Sequence, residues 1–325
     1  MTIGRPTGWY HGSDGALVPA WDEGFSFNDM ADIPRRAFGN TGLQVSILGL
    51  GGGQVGNSSL PEPAAERLLN QALDLGLNLI DTARGYGQSE ARIAKYLGPR
   101  RQEVVLSTKV GYGVTGVADW TYDAVRLGVD EALQTLRTDW IDIVHLHSCS
   151  LEVLQRGEVI AALEAARQAG KVRVAAYSGE NEALDYAVST GRFQSVQTSI
   201  NLADQRNLDR ALPETQARGL GVIAKRPVAN APWRFETRPY GQYAEEYWYR
   251  WQTMRLNRRG LDWQELALRF VAFWPGVHTC IVGTANPDHL AHNARLLARG
   301  PLPGDQVDEI RRAFQAHDQD WVGLT

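Results

Sequence analysis

Along most of the chain, short apolar runs alternate with longer segments whose apolar residues recur every three or four positions. The runs fall at 47–51, 78–81, 104–107, 141–146, 172–176, 195–198, 221–224 and 279–282. They are too short for helices, and several are rich in β-branched residues, so each predicts a strand. Between them, Ala64, Leu68, Leu69, Ala72 and Leu73 share one helical face. So do Val125, Val129, Ala132, Leu133 and Leu136, and likewise Val159, Leu163 and Ala166. Regular strand–helix alternation predicts a parallel sheet. Eight such units predict an α/β fold closed as a (β/α)8 TIM barrel. The runs lack polar–apolar alternation, as parallel strands covered on both faces should.

Three segments stand outside this rhythm. Residues 1–33 carry Gly, Asp and aromatics in no period and read as an N-terminal arm before a single barrel domain over 34–325. Next, Arg36-Ala-Phe-Gly-Asn-Thr-Gly-Leu-Gln-Val sets Gly39, Asn40 and Gly42 between short apolar runs, which predicts an N-terminal β-hairpin. After the seventh strand comes a long aromatic-rich loop, 227–260. Loops of that length are usually functional, and a loop that follows a barrel strand opens on the catalytic face. Trp233 and Trp248 are therefore candidates to wall a substrate pocket. The competing reading is that these rings pack the loop onto the barrel or bury a subunit contact.

Composition removes several classes. The chain has 325 residues, 43% of them apolar, enough for a large core. Its net charge is −4 and no basic patch stands out, so nucleic acid is not an expected partner. No apolar run reaches the ~18 residues of a membrane helix. The first residues lack the apolar stretch of a secretory signal. Cys149 and Cys280 make no disulfide framework, and a reducing cytoplasm fits that usage.

The candidate chemistry lies at strand ends. Asp81 closes the second run, Lys109 follows the third and His147 follows the fourth. The C-terminal ends of strands are where barrel active sites form. Tyr86 lies between Gly85 and Gly87, which leave the backbone free to turn its ring over the barrel mouth. Each residue alone has an ordinary explanation: a helix cap for Asp81, a solvated lysine, a packing tyrosine, a core histidine. Their joint placement on one rim separates the readings. His145 and His147 face the same way on a strand, but no further ligand follows at a suitable spacing, so no metal is expected. Gly51-Gly-Gly53-Gln-Val-Gly56 matches a dinucleotide fingerprint, with Asp81 ending the next strand, and offers a Rossmann alternative. That motif should open a helix at once, yet Asn57-Ser-Ser-Leu-Pro-Glu-Pro63 intervenes. Gly52 and Gly53 therefore read as part of a tight first barrel loop.

Over about 35–297 the chain resembles the aldo-keto reductase family. The resemblance rests on Leu48-Gly-Leu-Gly51, Asp81-Thr-Ala-x-x-Tyr86-Gly-x-Ser89-Glu90, Ser107-Thr-Lys109, Asp142-Ile-Val-His-Leu-His147, Gly170-Lys-Val-Arg and Gly221-Val-Ile-Ala. It implies an oxidoreductase that interconverts a carbonyl (aldehyde, ketone or sugar) and an alcohol. Tyr86 would be the general acid, and an ammonium beside a phenol favours the phenolate. Lys109 would supply that charge, Asp81 would hold Lys109, and His147 would orient the substrate oxygen. Hydride would come from a nicotinamide, because side chains supply none.

The same resemblance implies NADP as cofactor, with NAD as the other possibility. Its adenine end would lie against Gly283, Thr284, His289 and Asn293, where a helix starting near Pro287 offers amides to a phosphate. Ser178 and Gln197 would meet the carboxamide, and Gly52 and Gly53 would flank the cofactor. The chain also departs from the family. Gly283 and His289 stand where relatives carry a lysine or arginine for the 2′-phosphate of NADP. Lys225 and Arg226 replace an aromatic–Ser pair and would compensate, leaving Trp233 as a candidate to stack on nicotinamide. Gly179 replaces a common asparagine, and His145 a common glutamine. Two other functions compete: a Schiff-base lyase that uses Lys109, and a non-catalytic cofactor-binding regulatory subunit. The expected partner is a small carbonyl or sugar substrate, bound by a monomer or homo-oligomer.

Overall fold

The computed structural model describes residues 33–325 and, before them, two short segments: β1 (Trp9–His11) and β2 (Leu17–Pro19), which pair antiparallel. The remainder of the expected arm, apart from Ile33, lies outside the described residues. The predicted hairpin forms from β3 (Arg35–Ala37) and β4 (Gln44–Ser46). Its turn needs Gly39, whose φ is +53° and whose Cβ would lie 2.4 Å from the Gly219 carbonyl oxygen.

The eight apolar runs become eight parallel strands. They are β5 (Leu48–Gly51), β6 (Leu79–Asp81), β7 (Val105–Val110), β8 (Ile141–His147), β9 (Val172–Ser178), β10 (Ser195–Ser199), β11 (Gly221–Lys225) and β12 (Thr279–Gly283). They close in the order β10-β11-β12-β5-β6-β7-β8-β9. A closed barrel overturns the Rossmann alternative, which needs an open sheet. Consistently, the first helix after the glycines, α1 (Glu62–Asp74), begins only beyond the intervening loop. β7, β8 and β9 extend past the apolar runs that predict them, and so carry Lys109, His147 and Ser178 within the sheet.

The helices that wrap the barrel are α2 (Ser89–Leu97), α3 (Tyr122–Leu136), α4 (Leu151–Arg156), α5 (Glu158–Gln168), α6 (Asn181–Ser189), α7 (Arg206–Asp209), α8 (Ala211–Ala217), α9 (Glu245–Met254), α10 (Trp263–Ala272), α11 (Pro287–Ala298) and α12 (Gly304–His317). α1, α3 and α5 bury the expected faces, including Leu68, Val129 and Leu163. Thr121 caps α3 by accepting from the Ala124 amide, which satisfies one of the free donors at a helix start.

Segment 227–260 differs from the expected loop. It holds a 3₁₀ turn, Pro232–Arg234, and the ten-residue α9. Glu245 and Glu246 suit the positive N-terminal end of α9. Tyr247, Arg250 and Met254 recur at three- and four-residue spacing and form its buried face. Tyr247 donates to Asp204 at 3.1 Å, and Arg250 donates to the Val322 carbonyl at 2.8 Å. The C-terminal tail thus lies against α9. Arg206 holds Asp318 through two hydrogen bonds, Trp321 packs on Phe314, and Asn181 and Gly323 exchange a pair of hydrogen bonds.

The barrel interior changes character along its axis. Every second residue of a strand points to the same face. At the N-terminal end these are Leu79, Val105, Ile143, Val174, Ile223 and Ile281, which cluster with Phe38 and Val45 of the hairpin region. Two residues further along the same strands stand Asp81, Ser107 and His145, and two further again Lys109 and His147. An apolar floor, plugged by Phe38, therefore supports a polar ring at the mouth. No described helix is long and apolar enough to cross a membrane.

Candidate active site

The ring centres on Asp81, which is 2% exposed. Lys109 Nζ donates to Asp81 Oδ2 at 2.6 Å and to the Thr82 carbonyl at 2.8 Å. Ser107 Oγ and Gln197 Nε2 donate to Asp81 Oδ1 at 2.8 and 3.0 Å. Ser178 Oγ in turn donates to Gln197 Oε1 at 3.1 Å. Burial is the largest influence on the Asp81 carboxyl and pushes its pKa up. The Lys109 charge and the hydrogen bonds from Lys109 and Ser107 outweigh it and leave the pKa below its ordinary value. Because Ser107 spends its proton on Asp81, it accepts from His145 Nε2 at 3.1 Å. Burial, first, drives His145 down to about 3.

Tyr86 sits on a turn clamped from two sides. Its amide donates to the Ala83 carbonyl at 2.9 Å, and its carbonyl accepts from the Ser89 amide at 3.0 Å. The glycine loop after β5 presses on it: a Cβ on Gly56 would fall 1.7 Å from the Tyr86 carbonyl oxygen. Gly87 has φ +52°. Gly85 does not, so backbone freedom is not its role here. A Cβ at Gly85 would lie 2.6 Å from the hydroxyl of Tyr112, which needs the space. Lys109 Nζ lies 5.1 Å from the Tyr86 ring centre, and the Tyr86 and His147 rings meet edge to face at 6.0 Å.

His147 is held by a residue that the motif reading omits. The Tyr112 hydroxyl is 2.7 Å from His147 Nδ1, and the rings are 5.5 Å apart. Burial, then the Lys109 and Lys225 charges, push His147 down to about 3, so its imidazole is neutral near pH 7. A neutral histidine can donate to a carbonyl oxygen without bringing a competing charge. Asp81, Lys109, Tyr86 and His147 are thus brought together, with Gln197 bonded to Asp81 and Ser178 to Gln197.

The remaining candidates form other groups. Lys225 pairs with Glu180 at 3.2 Å, and Glu180 also accepts from Thr198 Oγ1 and the Ser199 amide. Burial lowers the Lys225 pKa. Arg226 donates to Ser199 Oγ at 2.9 Å, to the Leu324 carbonyl and to the Tyr243 hydroxyl. At the start of α11, Asn286 caps the helix and accepts from the Asp288 amide, and Thr284 Oγ1 lies 3.4 Å from His289 Nδ1. Asn293 accepts from Gln264 at 3.0 Å. Trp233 stacks on Trp263, and Trp248 donates to the Phe235 carbonyl at 3.1 Å, so both make packing contacts next to or within 227–260. Among the described residues, no group of three or more His, Cys, Asp or Glu is placed to hold a metal.

The rim suits a dinucleotide. Gly51 and Gly283 are register partners at the ends of β5 and β12, so no side chain intrudes there. A Cβ on Gly53 would meet nothing within 4 Å, which leaves the adjoining loop open. The first turn of α11 next to this ledge presents amides of the kind that bind phosphate. The cations that would select a 2′-phosphate, Lys225 and Arg226, are already engaged.

The Aldo/keto reductase family model matches residues 47–314. L-galactose dehydrogenase of Arabidopsis thaliana is 32% identical over 215 residues, covering 62% of this chain and 67% of that protein. D-threo-aldose 1-dehydrogenase of a Pseudomonas species is 27% identical, covering 79% of this chain and 91% of that protein. The solved structure of the aldo-keto reductase AKR11C1 from Bacillus halodurans, in its holo form, superposes with a TM-score of 0.75 at 27% identity. That match covers 86% of this chain and 96% of that one.

Proposed function

The chain belongs to the aldo/keto reductase family and is an oxidoreductase of carbonyls and alcohols, and we propose that it is an NAD(P)-dependent one in which Tyr86 is the general acid–base. The observation that carries this reading is the Lys109 ammonium, fixed by Asp81 and Thr82 and 5.1 Å from the Tyr86 ring. A bound nicotinamide would give or take the hydride. The β5 loop, Gly283 and the start of α11 would hold the dinucleotide, with Ser178 and Gln197 near its carboxamide. Gln197 spends one amide proton on Asp81 and one carbonyl lone pair on Ser178, and retains one of each for a ligand. In carbonyl reduction Tyr86 gives its proton to the substrate oxygen, while His147 donates a hydrogen bond to the same oxygen. In alcohol oxidation Tyr86 takes that proton back. The names of the sugar dehydrogenases above favour an aldose or related sugar as substrate.

The geometry disfavours a Schiff-base lyase. A lysine nucleophile must be neutral. Lys109 instead donates two charge-assisted hydrogen bonds and neutralises a buried carboxylate. The test is turnover of a panel of aldoses and simple aldehydes with each nucleotide, with Tyr86→Phe as control. Loss of about 10²–10⁴ in kcat for Tyr86→Phe, with nucleotide affinity kept, supports general acid–base catalysis. Full activity in that variant overturns it. Quenching of the ten tryptophans reports nucleotide affinity. Because Arg226 is already bonded to Ser199, Leu324 and Tyr243, Arg226→Ala is expected to change NADPH and NADH affinity alike, and a selective loss of NADPH by about ten-fold or more would instead make Arg226 the 2′-phosphate contact.

A further inference from the structure

We propose that Tyr112 is a positioning residue that fixes the proton of His147 on Nε2, so that one ring nitrogen alone is offered to the substrate as a donor. The proposal rests on the reading of His147 as the group that meets the substrate oxygen, and it adds to that reading the device that sets its tautomer.

The Tyr112 hydroxyl lies 2.7 Å from His147 Nδ1. Two neutral groups share this bond, so one donates and the other accepts. Burial raises the pKa of Tyr112 and keeps the phenol protonated. A phenol is the stronger donor of the two, and a bare imidazole nitrogen is the stronger acceptor. The bond therefore runs from Tyr112 to Nδ1. A neutral imidazole carries one N–H, and with Nδ1 accepting it stands on Nε2. Were the ring to carry its proton on Nδ1, Nε2 would be an acceptor facing the electron-rich oxygen of a carbonyl, and the contact would be repulsive.

The surroundings are built for this bond. Gly85 leaves room for the Tyr112 hydroxyl, at the distance where a Cβ would come within 2.6 Å of it. The Tyr112 ring packs against Trp120 with centroids 5.7 Å apart. Trp120 is held over Gly111, whose missing side chain it replaces: a Cβ there would lie 2.2 Å from the indole. The Trp120 amide also donates to the Gly111 carbonyl at 2.7 Å. Tyr112 thus has little freedom to leave His147. The second phenol beside this histidine is committed to positioning, which leaves Tyr86 as the acid.

The test is long-range ¹H–¹⁵N correlation NMR on the full chain labelled at its seven histidines, with His147 identified by subtraction in His147→Gln. The expected pattern near pH 7 is a proton on Nε2 of His147 and a bare, hydrogen-bonded Nδ1. In Tyr112→Phe the Nδ1 resonance moves toward that of an unbonded nitrogen. In the same variant kcat falls about ten-fold, with nucleotide affinity by tryptophan quenching unchanged. A proton on Nδ1 in the wild-type protein overturns the proposal without recourse to any variant. An Nδ1 resonance unmoved in Tyr112→Phe overturns it too. The expected NMR pattern in a protein that turns over no carbonyl with either nucleotide would support the tautomer and overturn the reductase reading, so the two failures are distinguishable.

Discussion

Asp81 and Lys109 are 2.6 Å apart, and the side chain of each is 2% exposed. Such a pair is costly to break from one side, because the remaining charge is stranded without water. Lys109→Met is therefore expected to lose about 3–5 kcal/mol of stability, read as a lower urea midpoint at unchanged slope. Adding Asp81→Asn should recover part of that loss. These two residues and His147 are legible in the sequence because each terminates an apolar run, where a charge has few structural excuses. Tyr112 is not legible in that way. Its partner is 35 positions away, and nothing in Lys109-Val-Gly-Tyr112 announces a histidine contact. A distant trace is Gly85, which reads as a turn residue until the Tyr112 hydroxyl is seen to fill its place.

At the scale of elements, the glycine loop after β5 is a spacer for the Tyr86 turn. Gly56→Ala would push Tyr86 outward, since the added Cβ would meet its carbonyl oxygen at 1.7 Å. Misplacement by about 1 Å can cost ~10²-fold, so kcat/KM is expected to fall by that order with the circular dichroism spectrum retained. α9 is the element whose sequence is least transparent. Its aromatics fall on exposed and buried sides alike, so Tyr249 obscures the helical period that Tyr247, Arg250 and Met254 follow. Its buried partner is Asp204, whose pKa burial raises to about 7. α9 also depends on the tail, where Trp321 lies against Phe314 and under the Arg250 guanidinium. Trp321→Ala is expected to cost about 3 kcal/mol and to expose 227–260 to limited proteolysis.

For the whole molecule, the barrel itself is legible because eight apolar runs alternating with helical segments admit few other closures. The axial change from apolar floor to polar ring is written in the same strands, but only as every second residue, and adjacent outward-facing apolar positions mask it. Acid stability follows from the ring. His145 and His147 titrate at about 3 in the fold, against an ordinary 6.5. Between those values the unfolded chain binds protons that the folded chain refuses, so this part of the stability is lost as pH falls from 6.5 toward 3. Asp204 acts in the opposite sense: its folded pKa of about 7 exceeds 3.8, so its contribution is lost as pH rises through that interval. A difference measurement separates them. His145→Gln should flatten the pH dependence of unfolding free energy by about one proton between pH 4 and 6, in a urea series at several pH values.

Phe38 and its neighbours stop one end of the barrel, so the polar ring around Asp81 has its doorway at the opposite end, the mouth. Whatever lies across that doorway becomes its door. A nucleotide bound there is expected to slow the exchange of the groups around Asp81 with solvent. Deuterium uptake along β6, β7 and β8 in the presence of nucleotide becomes a clock for its residence time, and a slow clock would mean that departure, rather than chemistry, sets the pace of turnover.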